Sequence, residues 1–348
     1  MKQITGRLAG LDIIRCFAIF SVIAGHFFVL NTPFRETIFD ASGMFWQGLV
    51  YLLFNATGVP LFIMMTGYLN TNKVECSWKY YKEMKRVLIS YLLFSVITIL
   101  FRKYGLNEEF SLRHAVGAIL RFNAVPYGWY IEMWIGLYLL TPFLNLLYKA
   151  IPTQKQKLIL LVTLYALTAL PDLLNRYGMH LVPGFWLSVF PLTYFFIGSY
   201  IREYEPELNG KKIVVAIIAI IAICAINPVF NLLFVKEHTM IQIAGGSNGV
   251  FGTIVAVLTF ILLYKIDIWN VWTKNVLVRI SLLSLDMYLC CYIFDRIFYP
   301  YFIERYFVNQ TQFGVYFFLI IPLVFVASLA MAWLKERLFL LFSRKITD

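Results

Sequence analysis

Charge is what this sequence has least of. Asp, Glu, Lys and Arg make up 14% of its 348 residues, where a soluble domain carries about 25%. Residues of the AVILMFWYC set reach 60%, and mean hydropathy is +0.73. Too few charges remain to coat a water-facing surface of this size, so most of the surface must meet lipid. Acids are scarcer than bases, 19 against 30, for a net charge of +11. In a membrane protein that excess reports orientation first, so no nucleic-acid partner is expected. Cysteine is also sparse. Cys16, Cys76, Cys224, Cys290 and Cys291 form no CxxC, and no His or second Cys stands at zinc spacing, so the five read as reduced apolar residues and no metal is expected. Neither a Walker A loop nor a dinucleotide fingerprint is present, which removes the sequence grounds for ATP or NAD. Disorder, collagen and a disulfide-rich secreted module are excluded by 32 Phe, 22 Tyr and 8 Trp, which need burial.

A hydrocarbon core about 30 Å thick needs about 20 apolar residues per helix. Runs of that size lie near 10–30, 44–70, 87–103, 129–149, 156–171, 185–201, 212–234, 248–265, 279–299 and 313–335. The fifth and sixth are short or flanked by Pro171 and Pro191. The pattern predicts an all-α polytopic membrane protein, a bundle of about ten helices forming one integral domain over 1–348. An even count places both termini on one side. With that side inside, twenty lysines and arginines are cytoplasmic, among them Lys2, Arg7, Lys73, Lys82, Arg86, Lys157, Arg202, Arg344 and Lys345. Nine lie outside, including Arg35, Arg102, Arg176, Lys236 and Arg296, and Arg15 falls within the first span. The bias predicts cytoplasmic termini. The first run is expected to stay attached, because it is too long for the apolar region of a signal peptide and lacks a small-x-small cleavage site.

An ionisable side chain in a span costs about 2.5–3.5 kcal/mol on insertion scales, so it tends to face the bundle interior. The first helix carries Asp12, Arg15 and His26 in LDIIRCFAIFSVIAGH. Arg15 and His26 return to nearly the same azimuth, about 16 Å apart along the axis. Asp12 lies one turn before Arg15 and can pair with it; an interfacial ion pair with Arg15 snorkelling is the plainer reading. His26 is either a helix-packing hydrogen-bonder or a group poised to take a proton. Glu132, in WYIEMW, is the other costly acid, facing an acceptor hydroxyl or His26, or pairing with Arg121 or Arg15.

R-x10-H in a first helix of this form resembles the opening of the membrane acyltransferase-3 family. Further segments are similar to that family's in order: GVPLFIMMTGYL at 58–69, YYKEMKRVLISYLL at 80–93, GWYIEMWIGLYLLTPFLN at 128–145 and SLLSLDMYLCCYIFDRIF at 281–298. The resemblance implies transfer of an acyl group, usually acetyl, from cytoplasmic acetyl-CoA to a hydroxyl of a cell-envelope glycan, in the inner membrane of a bacterium. His26 and its motif partner Arg15 carry over most directly. The family's basic R-x-x-R appears here as Lys82-x-x-Lys85 followed by Arg86. Cys291 stands where His is frequent and receives no role, and Asp286 stands where Gly is common.

Neutral histidine can take the proton of a sugar hydroxyl as it attacks a thioester, or carry the acyl group itself; the sequence leaves both open. Lys82, Lys85 and Arg86 are placed to meet the phosphates of CoA, or else to bind anionic headgroups as topology determinants. Trp129 and Tyr130 are candidates for stacking on a sugar or for the interfacial belt. Asn55 and Tyr68 flank Gly58 and Pro60, which are expected to perturb the second helix and line a cavity. Asp286 and Asp295 stay unassigned. A secondary transporter or glycan-lipid flippase, using Asp12, Arg15, His26 and Glu132 as a relay, is the alternative from another class.

Overall fold

The computed structural model describes residues 8–175, 180–235, 240 and 246–345, with side chains through 341. Lys2, Arg7, Arg176 and Lys236 of the orientation count lie outside the described residues, as do the side chains of Arg344 and Lys345. Among the described residues there are helices and no sheet. Ten form the body: α1 Ala9–His26, α2 Ala41–Asn70, α3 Lys85–Gly105, α4 Trp129–Ala150, α5 Gln154–Thr168, α6 Phe190–Tyr204, α7 Gly210–Phe234, α8 Val250–Leu263, α9 Val271–Tyr306 and α10 Phe317–Lys345. Several starts follow from the sequence. The side chains of Asp40, Asn209 and Asn270 accept from backbone amides in the first turns of α2, α7 and α9, satisfying donors the helix leaves open.

Among the described residues, eight helical stretches are long and apolar enough to cross a membrane. The chain is an all-α polytopic membrane protein. The expected ten spans therefore include two shorter helices, α6 with 15 residues and α8 with 14. Both tuck against α2, burying Tyr194, Phe195, Phe196, Val255, Ala256 and Phe260. A helix surrounded by protein needs no lipid-matched length. The opposite case is α7, whose Val214, Val215, Ile218 and Ile221 are exposed, forming an apolar face for lipid.

The α2–α6 seam depends on two glycines. A Cβ on Gly67 would sit 1.9 Å from the Phe195 carbonyl oxygen, and one on Gly198 would sit 2.0 Å from that of Met64. Backbone cannot yield as a side-chain tip can. Gly198→Ala should therefore destabilise the bundle by more than the usual overpacking cost of about 1–3 kcal/mol, read as a lowered unfolding temperature in detergent. An unchanged midpoint would show that the helices part freely.

Alternation of the long helices gathers the ends of α1, α3, α5, α7 and α9 that come first in sequence on one rim, with the late ends of α2, α4, α6 and α8. This rim carries Lys73, Arg86, Lys157, Arg202 and Lys265 and is the basic rim below. It is tied by polar contacts. Asn145 on α4 donates to the carbonyls of Asn70 and Lys73 at 2.7 Å each, satisfying the open end of α2. Lys157 meets Glu203 at 2.7 Å, linking α5 to α6. Lys265, just past α8, donates at 2.6 Å to Glu207 in the turn after α6, and that bond and charge hold the Glu207 carboxyl below its usual range. At the far rim Gln47 and Gln310 are fully buried and exchange hydrogen bonds, at 3.1 Å to the Gln310 carbonyl and 3.0 Å in return to the Gln47 side chain.

Candidate active site

A cavity of about 300 Å³ opens between α1, α2, α3, α4 and α9. Arg15, Asn70 and Arg86 stand toward its basic-rim end, and Val22, Tyr130 and Tyr288 close its deeper end. A second cavity of about 400 Å³ shares Arg15, Met65 and Leu69 with the first and adds Asp12, Tyr68 and Arg202. Arg202 lies over the Tyr68 ring at 5.2 Å and donates to its hydroxyl at 3.3 Å. Half-buried Arg15 thus belongs to both chambers, while Asp12 is buried in the second. An ion pair crosses the wall of the first: Lys335 donates to both Asp286 oxygens at 3.0 and 2.9 Å and to Ser90 at 2.8 Å.

His26 lies one layer beyond the deep end. It is the last residue of α1, and the next turn, Phe27–Asn31, widens into a π-helix. Such turns recur at functional sites because they redirect side chains that a regular helix would keep in register. Here the widened turn brings Asn31 back to donate to the His26 carbonyl and to Asp295, at 3.1 Å each. Asp295, on α9, is fully buried, and its Oδ2 also accepts from Tyr127 at 2.8 Å. That oxygen is 3.7 Å from His26 Nδ1, within ion-pair range but longer than a hydrogen bond. Cys291 Sγ lies 3.9 Å from the same nitrogen. The Tyr127 ring covers the imidazole with centroids 3.9 Å apart. Tyr288, at the cavity end, donates its hydroxyl to the Tyr127 carbonyl. The floor of the cavity and the platform under His26 are therefore one hydrogen-bonded unit.

Several expected site residues fall elsewhere. Glu132 is exposed on the α4 face opposite Tyr130 and Ile131, so it neither lines the cavity nor faces His26; the helix period separates it from its neighbours. All three of the basic trio are exposed; Arg86 lines the cavity, and Lys82 and Lys85 do not. Trp129 is 47% exposed and lines neither cavity, while Tyr130 is buried in the wall of the first. Gly58 and Pro60 do not break α2, which runs unbroken over 30 residues. A Cβ on Gly58 would sit 2.9 Å from Val22 Cγ2, so this glycine serves the close approach of α1. Asn55 donates to the Tyr51 hydroxyl at 3.4 Å and is no part of either cavity. Beside His26 stand Asp295, which the sequence left without a role, and Tyr127, which it did not single out. The available sign was a second intramembrane acid at the same depth as His26.

Compared with known families, residues 8–334 match the family model described as the acyltransferase domain of acyltransferase type 3. The chain belongs to the membrane acyltransferase-3 family. No curated protein and no solved structure matches it. Membership establishes acyl transfer in general, over nearly the whole chain, and gives no support to the transporter alternative. In this acyltransferase a half-buried imidazole and a fully buried carboxyl, His26 and Asp295, lie beyond the cavity that Arg15 and Arg86 line.

Proposed function

We propose that this acyltransferase moves an acyl group, acetyl in the first instance, from cytoplasmic acyl-CoA to a hydroxyl of a cell-envelope glycan across a bacterial inner membrane. The observation that carries the reading is the cavity that runs from Arg15 and Arg86 to Tyr130 and Tyr288, the latter bonded to Tyr127, whose ring covers His26. The basic rim faces the cytoplasm. The phosphates of CoA meet Arg15, Arg86 and Arg202, where guanidinium forks suit phosphate oxygens. The narrow pantetheine arm extends along the first cavity toward Tyr130. The acceptor enters from the far rim, where a sugar chain outside the membrane would arrive.

His26 Nδ1 faces Asp295, which leaves Nε2 for the reaction. The acceptor hydroxyl attacks the thioester carbonyl while Nε2 takes its proton. The C–S bond then breaks, and the departing thiolate receives that proton from the imidazolium. Asp295 favours the imidazolium formed in between, as a carboxylate partner does in a triad. An acyl-imidazole on the same nitrogen uses the same residues.

Steady-state transfer with acetyl-CoA tests the donor site. Arg86→Gln and Arg15→Gln should each raise the apparent KM for acetyl-CoA by about tenfold or more, because a hydrogen bond to a charged group contributes about 1.5–3 kcal/mol. Lys82→Gln and Lys85→Gln should change it little. Equal effects at all four positions would favour headgroup binding, and no dependence on acyl-CoA would end the proposal.

A further inference from the structure

Beyond acyl transfer, we propose that His26, Cys291 and Asp295 form a binding site for one soft divalent cation of the zinc and cadmium class. Ligand atoms of the three residues all lie within 4.8 Å of one another. Around tetrahedral zinc, nitrogen and sulfur ligands are separated by about 3.5 Å, and nitrogen and oxygen by about 3.4 Å, from their bond lengths. The observed 3.9 Å from Sγ and 3.7 Å from Oδ2, both to His26 Nδ1, need a contraction of a few tenths of an ångström, and the sulfur-to-carboxylate separation, within 4.8 Å, must close further, toward about 3.6 Å. Cys291 and Asp295 approach the same imidazole nitrogen. A Cys–His–Asp relay would instead place thiol and carboxylate on opposite nitrogens, so this convergence suits a shared ion rather than a nucleophilic thiol.

A second observation points to the same place. Asp295 is fully buried, yet its Oδ1 has no hydrogen-bond partner among the described residues. Oδ2, the oxygen nearest Nδ1, is held by Tyr127 and Asn31 as outer-shell donors hold a ligating carboxylate, and the open Oδ1 is free to join it as a second ligand oxygen. An acceptor oxygen left open inside the protein is costly unless something positive meets it. Binding releases the Cys291 thiol proton to solvent, the thiolate joins the ion, and no electron moves. The ion occupies Nδ1 and opposes protonation of the ring, so it holds His26 out of proton transfer and makes the cluster an inhibitory site.

The test uses the full-length protein in detergent, with exposed Cys76 replaced by Ser, and Cd2+ as probe. Bound metal is counted by mass spectrometry after removal of excess, and the thiolate-to-cadmium absorption band is recorded. One Cd2+ per chain with the band is expected. Cys291→Ser should lose the band, and Asp295→Asn should retain less metal at the same free Cd2+. Cys290→Ser should change neither, because the Cys290 thiol turns away toward the carbonyls of Met287 and Ser328. If Cys291→Ser does not fold, loss of the bound ion in His26→Gln decides in its place. Absence of the band in the parent protein, or its survival in Cys291→Ser or His26→Gln, overturns the site. Metal counting does not depend on acyl transfer, so this outcome and that of the proposed function are read separately.

Discussion

His26→Ala is expected to lower acyl transfer by about 10²–10⁴-fold, the range that a positioned general base contributes. Binding of acyl-CoA should persist, because the cations proposed to meet its phosphates stand away from His26, Arg15 and Arg86 at the other end of the first cavity and Arg202 in the second. Insertion should persist too: the imidazole ends α1, and beside the Tyr127 ring it meets α9 only through Asp295 and Cys291, at 3.7 and 3.9 Å. The measurement is turnover of acetyl-CoA into ester product in proteoliposomes, beside equilibrium binding of a non-hydrolysable analogue. Asp295→Asn keeps shape and the Tyr127 hydrogen bond while removing the charge that favours the imidazolium. It should therefore lose activity in kcat with KM for the donor little changed. Full activity in His26→Ala refutes the base assignment, and loss of donor binding in that variant relocates the phosphate site.

The membrane class and most helix positions are legible because apolar length and charge breaks are local properties of the chain. The two short helices read as spans because their apolar runs resemble spans; what sets them apart is burial against α2, which for α6 depends on Gly67 and Gly198 meeting backbone from another helix. Arg15 and His26 were legible from spacing along one helix. The partner of His26 was not, since Asp295 is 269 positions away and is delivered by the packing of α9 beside a π turn that no periodicity announces. Glu132 illustrates the converse. An acid in an apolar run signals a special environment, but its sequence position does not say which face of α4 it takes, and it took the exposed one.

Lys335→Met should destabilise the protein by about 3–5 kcal/mol, the cost of leaving a buried charge without its partner. Asp286 and Lys335 side chains are 8% and 18% exposed, so solvent screens them weakly. The ammonium also reaches Ser90, which ties α3 to α9 and α10 along the cavity wall. Once Lys335 is gone, Asp286 faces the apolar part of the cavity with its charge uncompensated. Adding Asp286→Asn to Lys335→Met should therefore recover most of the loss, because an amide needs no counter-ion and retains hydrogen-bonding capacity toward Ser90. Unfolding in detergent, followed by circular dichroism against denaturant, reads both variants. A pair that acts through charge predicts a double variant more stable than Lys335→Met alone. A pair valued for the length of the lysine stem across three helices predicts no recovery, since methionine already preserves most of that stem and the asparagine adds nothing to it.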